Sequence, residues 1–407
     1  MMTLPRRALA LSALACVATL SLPVFAVDAD PVVLTFSSVG DSRQDPNTFD
    51  KASVGSTLSG QDAIWLQNTK AYARILRTIQ AQKSSMLFFN GDMIHGYGWA
   101  SFGNTTNKAQ TSIVQASPTT TADVVGSDLL TTYQQYGFWR GMVAPVLETG
   151  TYVFPVPGNH EVQCKACPKN SDGQRASKVE NEKAWADNMG DLILDSARFS
   201  QILGSAPVSP AFGPAAGLGP DGLTTDQSKL GYSFDHRGQH FVVINTDPVG
   251  AETHAPTQWL AADLAAAKSR GVKKIFVFGH KPAFTYNYVA APGAAVTGAG
   301  LDATATTKAA RDAFWNVIEA NGATYFAGHE HVYNISRPKG GAYQVIVGAG
   351  GSPFEASSST VLRNPATDRS YSWATVKVRQ SGAAELIGYG FDEHFGPTTV
   401  IEQINLP

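Results

Sequence analysis

Charge is scarce in this chain: only 16% of its 407 residues are charged, with 31 basic against 33 acidic. No basic stripe marks it as a partner for nucleic acid, and 43% hydrophobic residues is too apolar for a disordered chain. Cysteine is scarcer still, with three residues. Cys16 lies near the start, so Cys164 and Cys167 remain as a lone C-x-x-C pair. Two thiolates make half of a structural zinc site, and no second pair completes it. The pair reads as a disulfide that staples a loop, with two inert thiols as the alternative. The serines of "GDS" and "GGS" lack a G-x-S-x-G setting, which argues against covalent serine catalysis. No internal repeat is evident.

The first 26 residues are separable. Arg6 and Arg7 precede an Ala- and Leu-rich run that ends in "VFA" at Val24 to Ala26. This is the pattern of a secretory signal peptide, and the run is short for a spanning helix. The arginine pair leaves twin-arginine export open. Removing it takes the basic count from 31 to 29 against 33 acidic residues, a net charge of −4. The expectation is a secreted or periplasmic protein without a stable membrane anchor, whose residues 27–407 form a single domain with long loop insertions.

Short apolar runs recur, each followed by a polar exit: "PVVLTFSSVGD" to Asp41, "SMLFFNGD" to Asp92, "TYVFPVPGNHE" to Glu161, "HFVVINTD" to Asp247, "KKIFVFGH" to His280 and "ATYFAGHEH" to His331. Continuous apolar runs suit strands buried on both faces. Between them lie helical patterns at Asp62 to Gln82, Ala255 to Gly271 and Thr307 to Gly322, the last two ending at glycine. Strands alternating with helices predict an α/β core. Towards the C-terminus "GAYQVIVGAGGSP", "SYSWATVKV" and "AAELIGYGF" read as successive strands with no helix between them, which predicts an antiparallel portion. The Gly-, Ser-, Thr- and Ala-rich segments 98–128, 204–230 and 288–306 read as excursions from one core.

The strand exits supply two carboxylates (Asp41, Asp92), one amide (Asn159) and four imidazoles (His160, His280, His329, His331). In α/β sheets, ligands bind where strands end at their carboxyl sides. In "GHEH" the side chains of His329 and His331, at i and i+2 of an extended segment, can face one point. Imidazole, carboxylate and amide without thiolate suit a borderline metal such as zinc, manganese or iron.

The order of these motifs resembles the calcineurin-like metallophosphoesterases, and within them the purple acid phosphatase branch. The motifs stand here as "GDSR", "GDMIH", "GNHE", "VFGH" and "GHEH", from Asp41 to His331. The resemblance implies an α/β fold of two mixed β-sheets packed face to face with flanking helices, and two metal ions (Fe, Zn or Mn) at the strand ends. Carried over by position, Asp92 bridges both metals, Asp41 and His331 bind the first, and Asn159, His280 and His329 bind the second. His160 matches a histidine that does not ligate metal and lies near the leaving-group oxygen, where it can donate a proton.

The first motif departs from the family pattern. Where many members carry a second metal-binding histidine this chain has Arg43, which stays protonated and cannot ligate. In the purple acid phosphatase branch a tyrosine three residues after the bridging aspartate supplies the missing ligand; that position is His95 here, which is expected to bind the first metal without the purple colour a phenolate gives. Tyr97 is a second candidate, and a His95 that only lines the pocket is the alternative. Arg43 is expected either to clamp substrate phosphate or to pair with Asp45 or another nearby carboxylate.

A phosphate ester resists attack because its oxygens repel a nucleophile and its alkoxide leaves poorly. Two cations about 3.5–4 Å apart answer both difficulties. The expected function is therefore an exported, metal-dependent phosphatase that hydrolyses small-molecule phosphomonoesters with water. The alternatives are a phosphodiesterase or nucleotide hydrolase on the same site, or a non-catalytic metal- or phosphate-binding protein.

Overall fold

A computed structural model of the chain describes residues 28–44, 65–96, 128–164, 167–170, 173–286, 300–301, 305–352, 354 and 370–407. The N-terminal 26 residues, Asp45, Tyr97 and most of the segments 98–128 and 288–306 lie outside these. No helix among the described residues is long and apolar enough to cross a membrane.

Two mixed sheets carry the architecture. The first has the order β13-β12-β11-β1-β2-β3. Its strands β1 (Val32–Val39), β2 (Met86–Phe89) and β3 (Tyr152–Pro155) run parallel, while β11 (Tyr371–Arg379), β12 (Ala384–Phe391) and β13 (Thr399–Leu406) continue it antiparallel. The second has the order β4-β5-β6-β7-β8-β10-β9. There β6 (Gln239–Val243), β7 (Lys274–Phe278), β8 (Thr324–Ala327) and β10 (Gln344–Val347) are parallel, flanked by antiparallel β4 (Val208–Phe212), β5 (Tyr232–His236) and β9 (Tyr333–Ser336).

In the central strands β2 and β7, successive apolar side chains alternate between the sheet–sheet interface and the helices. Phe88 points inward, where its ring stacks on Phe278 of the other sheet at 3.8 Å between centroids, and Phe36 meets Phe276 edge-on at 4.8 Å. Its neighbours Leu87 and Phe89 point outward against helices α1 (Trp65–Ala81) and α2 (Asp128–Glu148). On the other sheet, Val242 and Val277 face outward to α6 (Thr257–Ser269) and α7 (Ala305–Ala320). The result is a helix, sheet, sheet, helix sandwich, as the motif resemblance implied. Three short helices complete the described set: α3 (Asn159–Val162), α4 (Val179–Met189) and α5 (Ser196–Leu203).

One expectation needs correction. "GAYQVIVG" does not join the C-terminal antiparallel strands. As β10 it pairs parallel with β8 in the second sheet, and the antiparallel run is β11, β12 and β13.

Candidate metal centre

Five neighbouring parallel strands deliver the site. Asp41, Asp92 and Asn159 follow β1, β2 and β3, which lie side by side in the first sheet; His280 and the His329–His331 turn follow β7 and β8, side by side in the second. Stacking the sheets brings both rows of strand ends to one edge. Two groups of ligand atoms result, each within 4.8 Å: Asp41, Asp92 and His331 in one, and Asp92, His280 and His329 in the other. Asp92 belongs to both, the place expected of a bridging carboxylate.

The backbone at these exits is strained. Asp41, Asp92 and His329 adopt left-handed φ values of 63°, 51° and 70°, which costs on the order of 1–3 kcal/mol per residue. Neighbouring strands impose the strain: the Asp41 amide donates to the Gly91 carbonyl and the Arg43 amide to the Asp92 carbonyl, both at 2.9 Å. His329 therefore sits in a turn, and the expectation that an extended segment aims both histidines at one point fails. The turn sends His329 to one group and His331 to the other, the split that the motif order implied.

Glycine allows the close approach of the motif loops. A Cβ on Gly158 would lie 2.4 Å from the Asp92 amide nitrogen and 2.5 Å from its Oδ1, and one on Gly91 would lie 2.5 Å from Nδ1 of His280. The loop carrying Asp92 is further clamped by Glu161, to which the sequence reading gave no role. Its buried carboxylate accepts from the backbone amides of Asp92, Gly158, Met93 and Ile94 at 2.8–3.3 Å. The signal was present as an acid directly after "GNH", but a carboxylate that holds a loop looks the same in sequence as one that holds a metal.

His280 shows how the ligands are aimed. Its Nδ1 donates to the Asn90 carbonyl at 2.7 Å. That bond turns Nε2 towards Oδ1 of Asn159 (2.8 Å), Oδ1 of Asp92 (3.1 Å) and Nδ1 of His329 (3.0 Å). Asn159 thus joins the second group through its amide oxygen. On the first side, Nε2 of His331 lies 3.5 Å from Oδ1 of Asp41, whose Oδ2 accepts from the His329 amide at 2.9 Å.

The charges call for a cation. Burial, opposed by His280 and reinforced by the charge of Asp92, pushes the Asp41 carboxyl well above the usual range. Burial works against ionised Asp92 too, but His160 and His280 outweigh it and hold Asp92 well below. The His280 imidazole, penalised by burial, is nevertheless raised to about 9 by Asp92 and Asp41. Burial, with the charges of His280 and Lys281, lowers His329 well below its ordinary value. Oδ1 of Asp41 and Oδ2 of Asp92 are buried and make no hydrogen bond. Two fully buried neighbouring carboxylates are stable only with compensating positive charge, and a metal would replace the His280 proton in that part. Oxygen and imidazole donors without thiolate fit zinc, manganese or iron.

Buried His160 and half-buried Arg43 flank Asp92. Nδ1 of His160 bonds the His95 carbonyl at 2.5 Å, and its Nε2 lies 3.5 Å from Oδ2 of Asp92. Burial, offset in part by Asp92, holds this imidazole well below its ordinary value. The Arg43 guanidinium lies 3.6 Å from the same Oδ2; the carboxylate it faces is Asp92. His95 stands outside both ligand groups: its ring lies beside His160, at 6.0 Å between centroids. The loop explains the placement, because the His95 amide bonds the Gln44 carbonyl at 3.3 Å and the Gly96 amide bonds Oε1 of Gln135 at 2.9 Å. Among the other histidines, His240 is held between Asp235 (2.6 Å) and Asp263 (2.8 Å), away from the strand ends that form the site.

Comparison with known proteins agrees with this construction. The model of the calcineurin-like phosphoesterase family matches residues 65–333. No curated protein sequence matches the chain. Among solved structures, a purple acid phosphatase from yellow lupin (Lupinus luteus) seeds superposes with a TM-score of 0.50 at 12% identity, covering 91% of this chain and 53% of that one. This chain therefore spans about half of the lupin protein. A dimetal phosphatase from Danio rerio gives a TM-score of 0.46 at 13% identity, covering 92% of this chain and 99% of that one. At 12% identity the lupin structure speaks for the fold alone; the family match rests on the motif-bearing sequence, and the chain belongs to the calcineurin-like phosphoesterases.

Proposed function

We propose that the chain is an exported phosphatase that hydrolyses small-molecule phosphomonoesters at a dinuclear metal centre. The observation that carries the reading is the sharing of buried Asp92 between two groups of ligand atoms. Asp41, Asp92 and His331 would hold one ion, with His95 as a further proposed ligand; Asp92, Asn159, His280 and His329 would hold the other. Iron, zinc and manganese all suit these donors. When bound, such a pair lowers the pKa of water towards neutrality and neutralises charge on the phosphoryl group. Arg43, 21% exposed at its side chain, can turn its fork from Asp92 to a phosphate oxygen. His160 lies where its Nε2 can pass a proton to the leaving oxygen once it carries one.

Export is supported by the pattern of residues 1–26 and by the disulfide between Cys164 and Cys167, the staple expected from sequence. The test is turnover of nitrophenyl phosphate and of bis-nitrophenyl phosphate by the purified protein loaded with manganese, zinc or iron. Faster turnover of the monoester is expected. Preference for the diester would favour a phosphodiesterase, and metal uptake without turnover of either would leave a binding protein.

A further inference from the structure

Beside the metal centre lies a cavity of about 240 Å³ that the motifs do not account for. Asn159 and His329 form its inner wall, so it opens directly onto the second ligand group. Gln163, Lys169, Gly173, Gln174, Arg175 and Lys281 line the rest, and no carboxylate is among the described lining residues.

The outer wall is a hairpin whose described arms are residues 163–164 and 167–170 on one side and 173–177 on the other. Cys164 and Cys167 staple its base, the Cys164 amide bonds the Ala176 carbonyl at 2.9 Å, and Asn170 bonds Gln174 at 2.8 Å. Lys169 and Arg175 face each other across an antiparallel bridge, which places both side chains on one face. Buried acids anchor the hairpin to the second sheet. Glu252 accepts from the Ser177 amide at 2.7 Å and from Asn170 at 2.9 Å, while Asp247 accepts from Gln163 at 2.8 Å and from the Lys281 ammonium at 2.6 Å. Asp247 therefore answers the charge of Lys281. Lys169 and Arg175, both exposed, add two cationic side chains to the cavity's outer wall.

Exposed cations are worth little singly, but two on one wall of a cleft concentrate the field on an anion held there. Arginine adds a fork matched to phosphate oxygens. We propose that this cavity receives a second phosphate of the substrate, so that the enzyme removes the terminal phosphate from small molecules carrying two or more. The proposal rests on the phosphatase reading above. In the reaction, the oxygen of water bonds to the terminal phosphorus and the bond from that phosphorus to its ester or bridging oxygen breaks. The leaving oxygen keeps the electron pair and gains one proton of the water, and the products are inorganic phosphate and the shortened molecule.

Two measurements test it on the metal-loaded protein, wild type and the Lys169→Ala, Arg175→Ala double variant. The first is kcat/KM for pyrophosphate and for fructose 1,6-bisphosphate, each relative to nitrophenyl phosphate; the two diphosphorylated compounds separate a phosphoanhydride from a bisphosphate ester. The expected ratio exceeds ten for at least one of them and falls at least tenfold in the double variant. The second is calorimetric binding of methylenediphosphonate against methylphosphonate, which needs no turnover. A tenfold preference that the variant loses supports the subsite. A ratio or preference unchanged by the double substitution, or monophosphate favoured in both measurements, overturns it. Turnover of nitrophenyl phosphate without any diphosphate preference removes the subsite and leaves the metal centre standing. Diphosphonate preference without turnover of any ester removes the phosphatase reading and leaves the subsite.

Discussion

Replacing Gly158 by alanine adds one methyl group, and the structure says where that carbon goes. It would lie 2.4 Å from the Asp92 amide nitrogen, 2.5 Å from Oδ1 of Asp92 and 2.7 Å from Oε2 of Glu161. Ordinary contact to such atoms begins at about 3.4 Å, so the β3 exit and the Asp92 loop must separate by nearly an ångström. Overpacking of this kind costs about 1–3 kcal/mol, and a 1 Å misplacement of reacting groups costs roughly 10²-fold in rate. The control is the same change at Gly141, an exposed helical glycine in α2 with nothing within 4 Å of its added carbon. There alanine should stabilise by about 0.5–1 kcal/mol. Urea unfolding, bound metal by mass spectrometry and kcat for nitrophenyl phosphate are measured for both variants. Gly158→Ala is expected to lose stability, metal and about two decades of kcat, while Gly141→Ala gains stability and keeps its metal. Full metal content and normal kcat in Gly158→Ala would refute the reasoning.

Other outcomes follow from the same geometry. His160→Gln should lower kcat by about 10²–10⁴-fold while two metals remain bound; loss of metal instead would make His160 a ligand. Phe88→Ala removes a ring buried between the sheets and stacked on Phe154 and Phe278, and should cost about 3–5 kcal/mol in urea unfolding; less than 1 kcal/mol would mean that the sheets do not meet there. Burial, with Arg237 adding to it, holds His236 down to about 4. Because the unfolded imidazole binds its proton first, the stability from a neutral His236 is complete above pH 6.5 and disappears as pH falls towards 4, by roughly 3 kcal/mol. The wild type should lose that much more than His236→Gln over this window, and equal losses would count against it.

Legibility in sequence followed burial. Strands β1, β2, β3, β6, β7 and β8 could be read because each carries a short apolar run buried between the layers, and the parallel core came with them. Two edge strands, β4 and β13, escaped. β4 carries Pro210 and is mostly exposed, and β13 mixes Ile401, Ile404 and Leu406, which pack on the core, with Glu402, Gln403 and Asn405, so its run is broken by polar residues. Helix α2 was hidden by Gly137, Gly141 and Pro145 within it. At the centre, the chemistry-bearing residues were visible because each follows a strand directly. Glu161, Asn90 and the Asp247–Lys281 pair were not, since their work is to hold other groups and appears only once the loops are packed. The placement of His95 beside His160 was invisible for the same reason: it depends on Gln44 and Gln135, which are distant in the chain.

The claim on which the account depends is that Asp92 is shared by two cations. Crystals grown with manganese or zinc and measured at the metal's absorption edge test it directly. Two anomalous peaks should flank Asp92, one contacted by Asp41 and His331 and the other by Asn159, His280 and His329. A single peak, or peaks remote from Asp92, would contradict it.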